Sequence, residues 1–200
     1  MNTFFVRASA AFFTTLIFGL SLACSKPEPP RVLRGVSPFE LTAQDGAKFG
    51  SKELAGEPYL VSFFFTSCAT VCPPIMEEMK HIQDELNERK TPTRLVSITV
   101  DPEHDSPERL NAYASKLGAE PSRWTFLTGP HALVQEVVVD RLMTHMGEEE
   151  QGPGGLVDIG HGSHVLVIDG KGQLRGIHEP IEANRKQLLQ TLDILADESP

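Results

Sequence analysis

Only three cysteines occur in the 200 residues, Cys24, Cys68 and Cys72, too few for a disulfide framework. A domain of this length builds an adequate core without one. Basic residues are also scarce. Lys and Arg number 18 against 27 Asp and Glu, a formal net charge of -9. Such a balance argues against nucleic-acid binding, which needs a basic surface, and is read as a solubility feature. There is no internal repeat, no low-complexity tract and no excess of Gly or Pro of the kind that marks wholesale disorder. What is present, 40% hydrophobic residues and a mean hydropathy of -0.16, describes a soluble globular protein of one domain with something left over.

The remainder is at the N-terminus. Arg7 is the only charge before an uncharged run, residues 8–25, that ends in "LSLAC". This ending resembles a bacterial lipobox, in which Cys24 is lipidated after cleavage, although Ser21 stands where Leu is usual. The competing reading is an uncleaved anchor, because the run is just long enough to span a bilayer. Both export the rest of the chain. The expected organisation is therefore a signal peptide or anchor over 1–24, a stiff Pro-rich tether over 25–34, a domain over 35–196 and a tail over 197–200.

Within the domain, "YLVSFFF" (59–65) and "RLVSITV" (94–100) are continuous apolar runs that predict buried central strands. Ile75, Met79, Ile82 and Leu86 fall on one face of a helix opened by Pro73 and Pro74. "DSPERLNAYASKL" carries a cap and a first-turn proline, and puts Leu110, Tyr113 and Leu117 on one helix face. "RWTFLTG" predicts a short strand, and "PHALVQEVVVDRL" a further helix. "GEEEQGPGG" (147–155) reads as a loop by composition. "HVLVIDGKGQLRGIH" predicts a hairpin turning at Asp169–Gly172, and residues 183–196 a closing amphipathic helix. Alternating strands and helices before a hairpin and last helix imply an α/β fold, a mixed sheet with helices on both faces. A cysteine pair between the first central strand and its helix is the thioredoxin-like placement.

Cys68 and Cys72 stand four apart in "FFFTSCATVCPP", so both sulfurs reach one side of a helical turn. Backbone N–H groups and the helix dipole there favour thiolates, which both disulfide exchange and soft-metal binding require. A structural staple is a poor account, since so short a loop constrains little chain entropy. A third ligand must come from seven histidines: His81, His104, His131, His145, His161, His164 and His178. His81 reads as solvated, His104 and His131 as turn residues, and His164 as a strand or core residue. His161, in "DIGHGSH", is flanked by glycines and precedes a strand expected beside the first central one. "MTHMG" offers Met143, His145 and Met146 as soft donors, but core-facing methionines at a helix end are the better account.

"SFFFTSCATVCPP", "LVSITVDPEHDSPERLNAYASKLG", "RWTFLTG" and "HGSHVLVIDGKGQLRG", in this order, resemble the Sco/SenC family, named for synthesis of cytochrome c oxidase. The resemblance covers residues 35–196. It implies a thioredoxin-like, membrane-tethered copper protein facing the periplasm, a metallochaperone that helps metallate the binuclear copper centre of cytochrome c oxidase or keeps its cysteines reduced. Its implied copper ligands are Cys68, Cys72 and His161, for Cu(I), Cu(II) or both, with Cys68 and Cys72 also a redox pair. Implied partners are the copper-receiving oxidase subunit and other periplasmic copper or thiol-redox proteins. The chain departs from the family in its spacer, Ala69-Thr70-Val71, and in Gly160, where an aspartate commonly precedes the histidine. Asp101 and Asp105 match the family's V-D-P-x-x-D-x-P and read as loop-shaping residues rather than ligands.

Two thiolates and an imidazole suit copper, whereas structural zinc wants a fourth protein ligand. The chief rival reading is a metal-independent thiol–disulfide oxidoreductase; a thiol peroxidase has no support beyond the thioredoxin-like framework. Thioredoxin-type reductases use Cys-x-x-Cys faced by a cis-proline. This chain has an extra spacer residue and no proline between Pro153 and Pro180.

Overall fold

Residues 59–64 offer no polar face, and a strand of that kind needs sheet neighbours on both edges and cover on both sides. The structure, a computed structural model, describes residues 27–69, 71–151 and 157–198. The chain runs β1 (Arg34–Gly35), β2 (Glu40–Ala43), β3 (Lys48–Gly50), α1 (Ser51–Leu54), β4 (Tyr59–Phe64) and α2 (Cys72–Arg89). It continues through β5 (Arg94–Thr99), α3 (Pro107–Leu117), β6 (Trp124–Thr128) and α4 (His131–Gln135), which a π-helical turn, Glu136–Arg141, extends. β7 (Met146–Gln151), β8 (Val157–His161), β9 (Val165–Ile168), β10 (Gln173–His178) and α5 (Glu182–Asp197) complete it.

Eight strands form one mixed sheet in the order β1-β10-β9-β4-β5-β6-β2-β3. β4, buried at all six positions, pairs parallel with β5 and antiparallel with β9. β5 pairs parallel with β6, so β4-α2-β5 and β5-α3-β6 are the two crossover units expected from the sequence. Ser62 and Ser97, both buried on these strands, satisfy one another at 2.7 Å, and Trp124 Nε1 donates to Ser97 Oγ at 2.9 Å. Trp124, Phe126, Phe64 and Tyr113 then form a chain of aromatic contacts with ring centroids 5.0 to 5.5 Å apart. α2 is tied to α5 by a bidentate pair, with Arg185 Nε and Nη2 donating to the Glu78 carboxylate at 2.6 and 2.7 Å.

α3 starts where the proline predicts, with the Ser106 hydroxyl accepting from Arg109 N–H and Pro107 in the first turn. The β9–β10 turn needs a left-handed residue and has Gly172 at φ 73°. Asp169 Oδ1 closes that turn by accepting from the N–H groups of Lys171 and Gln173.

Two segments differ from the sequence reading. Residues 147–155 were expected as loop, yet β7 occupies 146–151 and pairs with β8 in a separate two-stranded sheet. Composition concealed it, because these strands lie outside the main sheet and carry acidic and glycine residues instead of an apolar run. The N-terminal segment is docked against the body where it is described. Arg175 Nε donates to the Pro30 carbonyl, Leu33 N–H donates to the Leu174 carbonyl, each at 2.8 Å, and β1 then pairs with β10. Arg175 also bonds Asp169 at 2.7 Å and Glu198 at 3.0 Å, and so fastens this strap to the β9–β10 turn and the end of α5. Among the described residues no helix is long and apolar enough to cross a membrane. The run 8–25, Cys24 included, and the tail end, 199–200, lie outside the described residues.

Candidate metal centre

The site forms where β4 ends and α2 begins. Buried pairing on both edges of β4 fixes the position of Phe64 and Phe65. The turn that follows is closed by Cys68 N–H donating to the Phe65 carbonyl at 3.2 Å. Cys72 is the first residue of α2. Pro73 and Pro74 follow it, and their missing N–H groups cost nothing in a first turn. Cys72 N–H points at Cys68 Sγ, 3.3 Å away, so a first-turn N–H and the positive end of an 18-residue helix meet that sulfur.

His161 arrives from the small hairpin as the last residue of β8. Its Nε2 lies 3.4 Å from Cys72 Sγ, and its ring stands edge-on to Phe65 with centroids 6.0 Å apart. Nδ1 lies 3.1 Å from the Gly162 carbonyl, which can only accept, so Nδ1 carries the hydrogen and neutral Nε2 presents its lone pair. A backbone carbonyl that fixes the tautomer in this way is the usual support of a ligating imidazole. The flanking glycines pack closely against their neighbours' side chains. A Cβ on Gly162 would lie 2.5 Å from Thr144 Cγ2, and one on Gly160 3.3 Å from His145 Nε2. An aspartate at 160 would therefore press on His145.

The ligand atoms of Cys68, Cys72 and His161 lie within 4.8 Å of one another. Neither cysteine is in a disulfide. Two thiol sulfurs and an oriented imidazole, with one N–H already aimed at a sulfur, fit a soft ion such as Cu(I). The same sulfurs are close enough to approach each other and exchange disulfides.

Asp105 braces this centre. It is fully buried and accepts from Thr66 N–H at 3.0 Å, from the Thr66 hydroxyl, and from the Thr99 hydroxyl at 2.5 Å. Arg109 Nε lies 3.6 Å from Asp105 Oδ1 and donates to Thr66 Oγ1 at 2.6 Å. Both oxygens thus have donors, and the turn leading to Cys68 is locked to the end of β5. Asp101 shapes the same loop, accepting from His104 Nδ1 at 2.8 Å and from Asp105 N–H through its carbonyl at 2.9 Å. Sequence reasoning missed Thr66 and Thr99, whose only trace was their place in the F-x-x-T-x-C and T-V-D-P stretches, and Arg109, which stands in the first turn of the predicted α3 helix. It also missed Tyr113. Burial, with the neighbouring Cys72, Cys68 and Asp105, pushes its phenol pKa up to about 12, so it stays a neutral donor beside the pair.

The remaining histidines do not converge. His81, His104, His131, His145 and His164 are exposed, and half-buried His178, at the end of β10, is lowered by burial. The two methionines of "MTHMG" part company. Met146 is 8% exposed and lies opposite His161 in the hairpin register, whereas Met143 is 69% exposed at φ 57°. The core-facing account therefore holds for Met146 alone, and Met146 is in a strand, not at a helix end.

Crossover units around a central β4, with a cysteine pair at its C-terminal mouth, define a thioredoxin-like protein with a Cys-Cys-His centre. The sequence model described as SCO1/SenC matches residues 28–197, and the chain belongs to that family. A SCO1 protein homolog of Bacillus subtilis is 36% identical over 115 residues, 57% of this chain and 60% of the relative. The crystal structure of a SCO1/SenC family lipoprotein from Bacillus anthracis superposes with a TM-score of 0.75 at 30% identity, over 84% of this chain and 99% of that one. Bradyrhizobium japonicum ScoI with copper bound gives a TM-score of 0.64 at 25% identity, over 76% and 98%. BsSco, described with a disulfide switch and as one of the Sco family of cytochrome c oxidase assembly proteins, gives 0.71 at 25%, over 86% and 98%.

Proposed function

We propose that this chain is a membrane-held, periplasm-facing copper chaperone. It carries one copper ion on Cys68, Cys72 and His161 and serves assembly of the binuclear copper centre of cytochrome c oxidase. The observation that carries this reading is the convergence of the three ligand atoms within 4.8 Å from two distant parts of the sequence. Copper in the similar ScoI structure supports the choice of ion, and the oxidase-assembly role of BsSco supports the recipient. His161 also favours a chaperone over a metal-independent oxidoreductase, because disulfide exchange needs no imidazole fixed by a carbonyl against one of the sulfurs.

The cargo and a disulfide compete for the same atoms. A thiolate bonded to sulfur is no longer a copper ligand, so the redox state of the pair gates loading. Anaerobic titration of residues 26–200 tests both statements. The reduced form is expected to take up one copper ion, and the form oxidised to the Cys68–Cys72 disulfide none. Equal uptake by the two forms would refute the coupling, and no uptake by the reduced form would refute the reading itself.

Anchoring at Cys24 completes the proposal. The strap meets β10 at Leu174, which pairs with Ile168, itself opposite Tyr59 at the start of β4. Cys68 lies beyond the other end of that strand, so the six-residue β4, about 20 Å long, separates the anchored pole from the metal centre. Copper would then be presented away from the bilayer. The intact mass of membrane-extracted protein is expected to correspond to a chain that begins at Cys24 and carries acyl groups, with Cys24→Ser blocking cleavage. A mass matching the unacylated chain from Met1 would instead make residues 8–25 an uncleaved anchor.

A further inference from the structure

Among the described residues the exposed large apolar side chains fall at two places. Val71, Met143 and Ile181 belong to the metal end. Val71 precedes Cys72, Met143 precedes Thr144, which packs against Gly162, and Ile181 opens α5, whose far end meets Arg175. Val32, Leu33 and Ile177 lie instead along the β1–β10 edge of the main sheet. The strap's backbone is fixed there, with Leu33 N–H on the Leu174 carbonyl and Arg175 on the Pro30 carbonyl. Val32 and Leu33 nevertheless stay 48% and 44% exposed. Ile177, 55% exposed, stands on β10 beyond the point where β1 stops pairing. Aliphatic side chains gathered at one sheet edge are unfavourable in water and mark a contact surface. Exposed Arg31 and Lys171 flank them, whereas the Asp169 and Glu198 carboxylates are both held by Arg175. Only four residues, Lys26 to Pro29, separate the uncharged run 8–25 from Pro30, a reach of at most about 18 Å.

We propose that the β1–β10 edge rests on the bilayer surface. Val32, Leu33 and Ile177 enter the interfacial layer, and Arg31 and Lys171 meet anionic phospholipid headgroups. This rests on the membrane-held part of the function proposed above. A few aliphatic side chains bind a membrane only weakly when free, because the buried apolar area is small. On so short a leash the contact is intramolecular, and its effective concentration is high enough to populate it. Basic residues at an anionic surface strengthen the contact and make it sensitive to salt. The contact holds the sheet in one orientation. It leaves the Cys68, Cys72 and His161 end, with Val71, Met143 and Ile181 around it, open to a copper-receiving partner.

The test uses the full chain in nanodiscs of phosphatidylethanolamine and phosphatidylglycerol, doped with a lipid that carries gadolinium on its headgroup. Paramagnetic relaxation of the Ile, Leu and Val methyl groups reports their distance from the bilayer surface. The methyls of Val32, Leu33 and Ile177 are expected to relax at least about fivefold faster than those of Val71 and Ile181. Strap residues sit near the bilayer whether or not the body docks, so Ile177 is the deciding position. Val32→Ser combined with Leu33→Ser keeps the strap's backbone bonds and is expected to slow the Ile177 relaxation at least about threefold. Nanodiscs of phosphatidylcholine, which has no net charge, are expected to slow it about twofold. Equal rates at Ile177 and Ile181, or an Ile177 rate indifferent to the double substitution, would overturn the docking. Indifference to headgroup charge would overturn the part given to Arg31 and Lys171. A chain that does not elute with the nanodisc would contradict the membrane-held reading itself and take the proposal with it. Copper uptake, measured in parallel, reports on the chaperone reading separately from all of these rates.

Discussion

His161→Ala is expected to weaken copper binding by at least about 100-fold and to abolish the sulfur-to-copper charge-transfer band of the Cu(II) form. The ring contributes the only nitrogen among the three converging atoms, with Nε2 3.4 Å from Cys72 Sγ and Nδ1 held by the Gly162 carbonyl. Two thiolates alone still hold Cu(I) in a two-coordinate fashion but cannot complete a stable Cu(II) site. The apoprotein is expected to keep its fold, since the half-buried imidazole ends a peripheral hairpin and its contacts with Phe65, Cys72 and the Gly162 carbonyl belong to the site rather than to the main core. His164→Ala is the control. His164 is exposed three residues later, and its loss should leave spectrum and affinity unchanged. A larger effect there than at His161 would make His164 the ligand in place of His161. Optical titration and far-UV circular dichroism of the two variants decide the matter.

The second large effect is expected at Asp105, a residue that touches no ligand atom. Removing its carboxylate leaves Thr66 N–H, the Thr66 and Thr99 hydroxyls and the Arg109 side chain without their shared acceptor. Breaking a buried network of this kind costs about 3 kcal/mol, read as a lower urea midpoint of Asp105→Ala with an unchanged m-value. Because Thr66 begins the turn that carries Cys68, copper affinity should also fall about 10- to 100-fold, as it does when the support of a ligand is lost. Asp105→Asn keeps the acceptor for Thr66 N–H and is expected to fall between the two. A variant of wild-type stability and affinity would show that the turn is held by other means.

The candidate trio was legible because each member carries a local sign in the sequence. Cys68 and Cys72 share one turn, and His161 carries glycines on both sides. The central strands β4, β5 and β9 announced themselves as apolar runs, since a strand buried on both faces has no other way to be soluble in its own core. The short outer strands β1, β2 and β3 gave no such signal. β7 and β8 were hidden in acidic and glycine-rich sequence, although they position His161. The bracing of Thr66 by Asp105 spans 39 residues and that of Phe65 by His161 still more, and contacts of that range leave no periodicity to read. The docking of Pro30 on Arg175 was concealed for the same reason, at a separation of 145 residues. Its composition suggested a free extended spacer, and one guanidinium at the sheet edge turns part of it into a strap.

The central claim is the identity of the copper ligands, and X-ray absorption at the copper edge of the loaded domain addresses it most directly. The anaerobic Cu(I) form of residues 26–200 is predicted to show a first shell of two sulfurs and one imidazole nitrogen. The His161→Ala form should keep the sulfurs and lose the outer-shell scattering of the imidazole ring. A shell made of nitrogen and oxygen alone, or an imidazole signal that survives His161→Ala, would contradict the assignment of copper to Cys68, Cys72 and His161.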